Sequence, residues 1–406
     1  MPSAQNKFVG AVLRRIRSRK PAAAEAAAVP LDPAQQAVKQ RELQFSDWEA
    51  VSRLKGRWGL TADSLDNWHR FWRDNPAVLA SPSPLSMGWV LETESGIVGY
   101  LGSIPLLYQY GDRRLTAAVA TGFVVEPAYR GMGLRLLGAF YQQRNVDLFL
   151  NTTAIESVGR LTKGFRADPL PQQDYDTVLF WVLSARGFAK AVVKKLGING
   201  GIGRTAGILG SLAVKTETIV SGRRLGRVKE GFRVTEHAVS EIGDSFEGLW
   251  QRQFAGKPRL MADRSPATLR WHFTIPGDRS QTKVFCCHAA GELKGYAIVR
   301  IGEDRETGMI RCGLADLLVE KDDPAVIRAL LSAAFGAARK SRSHVFEVLG
   351  FPGGLRQMLM KAKPYTRKYP ACPFFFKAKQ RDFHAALAAE DAWYATPFDG
   401  DTSLMP

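Results

Sequence analysis

From Asp47 to about Asn75, Trp48, Val51, Leu54, Trp58, Leu65, Trp68 and Trp72 recur at spacings of three and four residues, which predicts two helices broken near Leu60. Period-two and continuous apolar runs then predict strands at 88–92, 97–110 and 115–125, with turns at Ser95-Gly96 and Gly111-Asp112. A helix over 131–143, a strand over 147–151, a helix over 154–162 and a strand over 177–183 complete the first half. The second half repeats this order more weakly. It shows helical patterns over 241–254 and 265–272, strands over 284–288, 293–301 and 309–319, a helix over 325–340, a strand over 344–349, a short helix over 354–361 and an apolar run over 373–377.

Two halves of the same element order predict an α+β protein of two similar domains, each a mixed, mostly antiparallel sheet flanked by helices, as a duplication would leave. The boundaries read from composition are a basic arm and linker over 1–45, a first domain over 46–185, and a basic Gly/Ala-rich linker over 186–232. A second domain over 233–380 and a C-terminal tail over 381–406 follow. With 406 residues, 45% of them hydrophobic, two packed cores are within reach.

The net charge of +17 is the unusual total, and it is concentrated. Residues 1–40 carry seven Lys/Arg against two acids, and residues 186–230 carry ten against two, so these stretches hold most of the excess. Both mix basic with apolar residues and are candidates for peripheral contact with an anionic membrane. Neither shows the interleaved aromatic or helix-turn-helix pattern of a nucleic-acid binder. The N-terminus has no apolar leader core and no run reaches the ~20 apolar residues of a span, so the cytoplasm is the expected compartment. Cys286, Cys287, Cys312 and Cys372 form no C-x-x-C pair and read as reduced core residues; His272, His288 and His344 are isolated, and no metal site is expected.

The chemistry is concentrated in Gly122-Phe-Val-Val-Glu-Pro-Ala-Tyr-Arg-Gly-Met-Gly-Leu-Arg-Leu-Leu137. Pro127 cannot donate to a sheet ladder, so the strand should part from a neighbour there and leave backbone groups of Phe123, Val124 and Val125 for an extended ligand. Arg130, Gly131 and Gly133 then open a helix. Its first N–H groups lack intrahelical partners and its dipole favours an anion such as pyrophosphate.

This run resembles the GNAT superfamily's strand followed by R/Q-x-x-G-x-G/A, matched at Arg130, Gly131, Met132, Gly133 and Leu134, with Arg135 in place of the last small residue. Asn151-Thr-Thr-Ala154 and Lys163-Gly-Phe165 fall where relatives flank the pantetheine arm and the acceptor site, so the resemblance spans about residues 46–184. It implies acyl-CoA, most simply acetyl-CoA, as co-substrate. It also implies direct N- or O-acyl transfer to a small molecule, sugar or glycan-precursor intermediate, or peptide-like amine. The family's usual tyrosine acid is replaced by Arg160, and its strand glutamate is missing. Among Tyr129, Glu156, Tyr175 and Thr121, the catalytic candidates are Glu156 and Tyr175. A non-catalytic binding protein of this fold, or an enzyme taking its acyl group from a carrier protein at a membrane surface, is the alternative. In the second half, Leu318-Val-Glu-Lys-Asp-Asp-Pro324 replaces the loop with carboxylates that would repel a pyrophosphate, which marks that half as degenerate.

Overall fold

A computed structural model describes residues 37–153, 156–198, 200–220, 232–369 and 374–405. The N-terminal arm, the basic stretch over 221–231, Ala154 and Cys372 lie outside the described residues.

The first half opens with a strand that the apolar pattern does not announce, β1 (Lys39–Glu42), followed by helices α1 (Trp48–Arg57) and α2 (Leu65–Trp72). The polar β1 is held by pairing with the next strand and by Arg41, which bonds both Asp47 and Glu92 at 2.7–3.0 Å. An antiparallel meander follows, β2 (Gly88–Thr93), β3 (Gly96–Tyr110) and β4 (Arg113–Val125). Helix α3 (Gly133–Tyr141) then leads to β5 (Leu148–Asn151), parallel to β4. Along β4, Ala117 and Val119 face one core while Ala118 and Ala120 face another, as strand alternation requires. On α3, Leu136, Leu137, Phe140 and Tyr141 are buried and Leu134 and Arg135 exposed, the one-sided stripe of a helix laid on a sheet.

Helix α4 (Glu156–Gly164), the two-residue β6 (Asp168–Pro169) and β7 (Thr177–Val182) come next. Helices α5 (Ala185–Lys195) and α6 (Gly200–Val220) then pack on each other, with Gly210 of α6 admitting Ala189 of α5. The stretch from 186 read as a linker is therefore a helical hairpin as far as Val220. The second half comprises β8 (Arg233–His237), α7 (Asp244–Arg252), β9 (Leu260–Ala262), α8 (Pro266–Phe273), the meander β10 (Gln281–Ala289), β11 (Glu292–Glu303) and β12 (Ile310–Val319), then α9 (Pro324–Lys340) and β13 (Val345–Val348), parallel to β12. Helix α10 (Gly353–Met360), β14 (Tyr365–Lys368), β15 (Phe375–Ala378) and α11 (Arg381–Ala386) follow, with a 3-10 turn at Glu390–Ala392.

Among the described residues the strands form two sheets, ordered β1-β2-β3-β4-β5-β15-β6 with β9 beside β3, and β14-β7-β13-β12-β11-β10-β8. The halves exchange a strand: β7, from the first half, pairs with β13, whereas β15, from the second, pairs with β5. A division of the chain at residue 185 is thus not the division between the sheets. Helix α3 covers the outer face of the first sheet and α9 that of the second, and the inner faces share a core containing Trp68, Tyr100, Phe246, Tyr296, Trp393 and Phe398.

The last 13 described residues, read as a tail, run through that shared core. Trp393, Phe398 and Leu404 are at most 2% exposed, a burial stabilising by about 1.5–3 kcal/mol per side chain. Arg70 and Arg300 hold the segment by its backbone, donating to the carbonyls of Leu404 and of Ser403 and Met405. Cys286, Cys287 and Cys312 are free thiols in the cores. No helix among the described residues is long and apolar enough to cross a membrane.

Candidate functional site

Strands β4 and β5 pair only from Ala117–Leu148 to Val119–Leu150, after which β4 runs on for six residues with its β5-facing edge open. Asn151, the next residue of β5, pairs with Phe375 of β15 but has no partner in β4. On its other side β4 bulges: Tyr100 faces Val124 and Gly102 faces Thr121, so Leu101 opposes both Gly122 and Phe123. Gly122 has φ of 66°, and a Cβ there would stand 2.8 Å from the Tyr100 ring, so only glycine fits this kink. The bulge re-aims the backbone of Phe123, Val124 and Val125, where the sequence places the ligand strand.

Beyond Glu126, whose carboxylate pairs with Arg57 of α1 at 2.6 Å, Pro127–Met132 winds into a 3-10 turn that continues into α3. The N–H groups expected to be free here are partly engaged, because Pro127 with its fixed φ starts the winding early and Gly133 donates its N–H to the Arg130 carbonyl. The anion-attracting features that remain are the helix N-terminus and the exposed side chains of Arg130 and Arg135. Gly131 is exposed with no atom within 4 Å of where a Cβ would stand, so its backbone is open to close approach. Gly133 has a packing role, since a Cβ there would lie 3.1 Å from Phe123 Cζ. Met132 is half-buried among the outer core residues and Leu134 is 50% exposed.

Across the open gap from Thr121 lies a group that the sequence does not mark. Were the β4–β5 register to continue, Thr152 would oppose Thr121. Instead Thr152 and Thr153 both donate their hydroxyls to the carboxylate of Asp401, the Thr153 bond measuring 2.9 Å. Asp401 is fully enclosed, and burial raises its carboxyl above the usual carboxylate range against the two threonine bonds, which lower it. In β3, on the other side of β4, the Tyr100 hydroxyl lies over Gly102 beside Thr121, buried without a hydrogen-bond partner, and burial first, then the Asp63 charge, keeps it protonated. Lys55 sits beneath the bulge, 6% exposed, paired with Asp63 at 2.6 Å. A carboxylate with a raised pKa and an unpartnered buried phenol are groups of the kind that general acid–base chemistry uses.

Of the two catalytic candidates, Tyr175 is buried and donates its hydroxyl to the Thr396 carbonyl at 3.0 Å while its ring packs on Phe374, so it is tied to the C-terminal segment. Glu156 opens α4, and its side chain is outside the described residues.

The second sheet has the matching splay, as β12 leaves β13 after Leu314, but it is filled. Tyr394 donates to the Leu317 carbonyl, Thr396 donates its hydroxyl directly to Asp316, and Asp399 meets Asp316 through Arg264. Where a pyrophosphate turn would be, Glu320 pairs with Arg252 and Lys294, Asp322 with Arg259, and Asp323 caps α9.

No protein-family profile matches the chain, and no curated protein matches it in sequence. Solved structures do match. A GCN5-related N-acetyltransferase from Anabaena variabilis superposes with a TM-score of 0.53 at 10% identity, over 84% of this chain and 73% of that one. A probable N-acyltransferase from Enterococcus faecalis gives 0.53 at 10%, over 84% and 72%. A GCN5-related N-acetyltransferase from Kribbella flavida gives 0.50 at 11%, over 84% and 71%. At such identities the likeness is one of architecture, and with two sheets that each splay after one parallel pair, the chain has the GNAT fold, present as two halves.

Proposed function

We propose that the chain is an acyl-CoA-dependent acyltransferase, most simply with acetyl-CoA, whose donor site is in the first half. The observation that carries this reading is the open, bulged edge of β4 beyond its last pair with β5, together with the buried Asp401 carboxylate held by Thr152 and Thr153 just after β5. The donor's pyrophosphate fits the start of α3, where Arg130 and Arg135 are exposed, Gly131 is uncovered, and no acid occurs between Pro127 and Leu137. The pantetheine arm would lie along Phe123, Val124 and Val125, and Asn151 marks the far lip.

The thioester supplies an activated acyl carbon. In the reaction a C–N or C–O bond forms to the acceptor and the C–S bond breaks. Asp401, with its elevated pKa, takes the proton from the attacking amine or hydroxyl, and the protonated Tyr100 phenol donates to the leaving thiolate. An N–H of the bulged strand polarises the carbonyl. The acceptor is a small molecule, a sugar or glycan-precursor intermediate, or a peptide-like amine. The filled splay and carboxylate-lined turn of the second half leave it a bracing role.

Purified protein incubated with acetyl-CoA and a panel of amine and sugar acceptors should release free thiol in proportion to acceptor acylation, read by thiol titration and mass spectrometry. A protein that binds acetyl-CoA yet acylates nothing in the panel, with Asp401→Asn unchanged in binding, would favour a non-catalytic binding role instead.

A further inference from the structure

Helix α6 exposes three large apolar side chains to solvent. Ile208, Leu209 and Leu212 are 70%, 60% and 64% exposed, whereas Val214 on the opposite side is 8% exposed and Gly210 meets α5. The three residues lie at i, i+1 and i+4, so they form one contiguous patch, flanked by exposed Thr205, Lys215 and Thr216. A soluble hairpin would carry polar residues here. Several exposed large apolar side chains on adjacent turns mark a surface that is covered in use.

The neighbouring helix explains what covers it. On α5, Arg186, Lys190 and Lys194 are exposed at spacings of four and form a basic stripe, extended by exposed Lys195, while Ala189 and Ala191 face inward. None of these four cations has an acidic partner among the described residues, in a chain whose other surface lysines and arginines repeatedly do. A two-helix element with an apolar face and a basic stripe matches the interface of an anionic bilayer, where the apolar side chains enter the acyl boundary and the cations meet headgroups. A second copy of the chain is a poorer occupant, because a twofold contact would bring the same four cations against themselves. Nucleic acid would engage the cations but leave the apolar patch in water.

We infer that the α5–α6 hairpin is a membrane-surface anchor that docks this protein on anionic lipid. The inference does not depend on the reaction catalysed. It accounts for the exposed hydrophobic patch on the hairpin, and docking there would favour acceptors that are themselves held at the membrane.

The test is flotation of the full-length protein with vesicles of phosphatidylcholine alone and with half phosphatidylglycerol. Wild type should float only with the anionic vesicles and be released as salt is raised from 0.05 to about 0.5 M, where screening shortens to a few ångströms. Ile208→Ser, Leu209→Ser and Leu212→Ser together should reduce the bound fraction at least tenfold, and Lys190→Glu with Lys194→Glu should do the same. Both variants should keep the wild-type far-UV circular dichroism spectrum and acetyl-CoA affinity. Absence of wild-type binding, or binding unchanged in the triple variant, would overturn the proposal; the second result would move the anchor elsewhere in the chain. A dimer in light scattering that the triple variant abolishes, with no vesicle binding, would assign the patch to a second copy.

Discussion

Arg264 is the residue on which the join between the two sheets turns, and replacing it with methionine tests this directly. Its guanidinium is wholly buried, and although burial works against its charge, the Asp316 and Asp399 carboxylates hold it protonated. Its Nη2 lies 3.0 Å from Asp316 and 2.7 Å from Asp399, both carboxylates being at most 1% exposed. Asp399 also accepts the N–H groups of Ala262 and Thr396, which fixes the C-terminal segment to β9. Methionine fills the volume but strands two buried carboxylates side by side, at an expected cost of about 3–5 kcal/mol. That is roughly two to four powers of ten in the folding equilibrium. Urea unfolding followed by tryptophan fluorescence at pH 8 would measure it. The penalty should shrink as the pH falls towards 5, because protonating one carboxylate removes the repulsion. Adding Asp399→Asn to Arg264→Met should recover part of the loss for the same reason. A change under about 1 kcal/mol, or one insensitive to pH, would refute the claim that this ion network secures the segment.

Asp401→Asn should lower turnover by about 10²–10⁴-fold and abolish the rise of rate with pH that the elevated Asp401 pKa imposes, read from a kcat/KM profile. The same group gives a stability signature. With its folded pKa above the unfolded value of about 3.9, Asp401 contributes stability that is complete below that value and lost as the pH rises through the folded pKa. Asp401→Asn should therefore gain stability relative to wild type on moving from pH 4 to 8, and a flat difference would show the carboxylate to be unperturbed. Tyr175→Phe should cost about 1 kcal/mol in urea unfolding, the worth of one buried hydrogen bond, while leaving kcat unchanged. A large fall in kcat at unchanged stability would restore Tyr175 as a catalytic residue.

The order of helices and strands is legible in the sequence wherever periodicity is strong, as in the meander over 88–125 and the amphipathic α3. The strand exchange is not, because Thr-Val-Leu-Phe-Trp-Val182 and Phe-Phe-Lys-Ala378 are apolar enough for either sheet and only the tertiary partner decides. The hairpin is hidden by its composition: Gly and Ala read as linker, yet Gly210 and Ala189 lie in contact where two helices pack. Asp399 and Asp401 look like the polar end of a tail. Their burial rests on Arg264 and on Thr152 and Thr153, which are 135 and about 250 positions away and carry no local signal. The turn into α3 is legible through Pro127, Arg130, Gly131 and Gly133, but its 3-10 winding is not, since glycine tolerates either course.

The most direct test is isothermal titration of acetyl-CoA into the wild type and into a chain carrying Arg130→Ala and Gly133→Asp. The double change removes an exposed cation and sets a carboxylate at the start of α3, with its Cβ 3.1 Å from Phe123. One equivalent of acetyl-CoA bound by the wild type, with affinity reduced at least tenfold in a variant that keeps a cooperative thermal transition, is the predicted result. A wild type that binds no acetyl-CoA, or a variant that binds it equally well, would contradict a donor site in the first half.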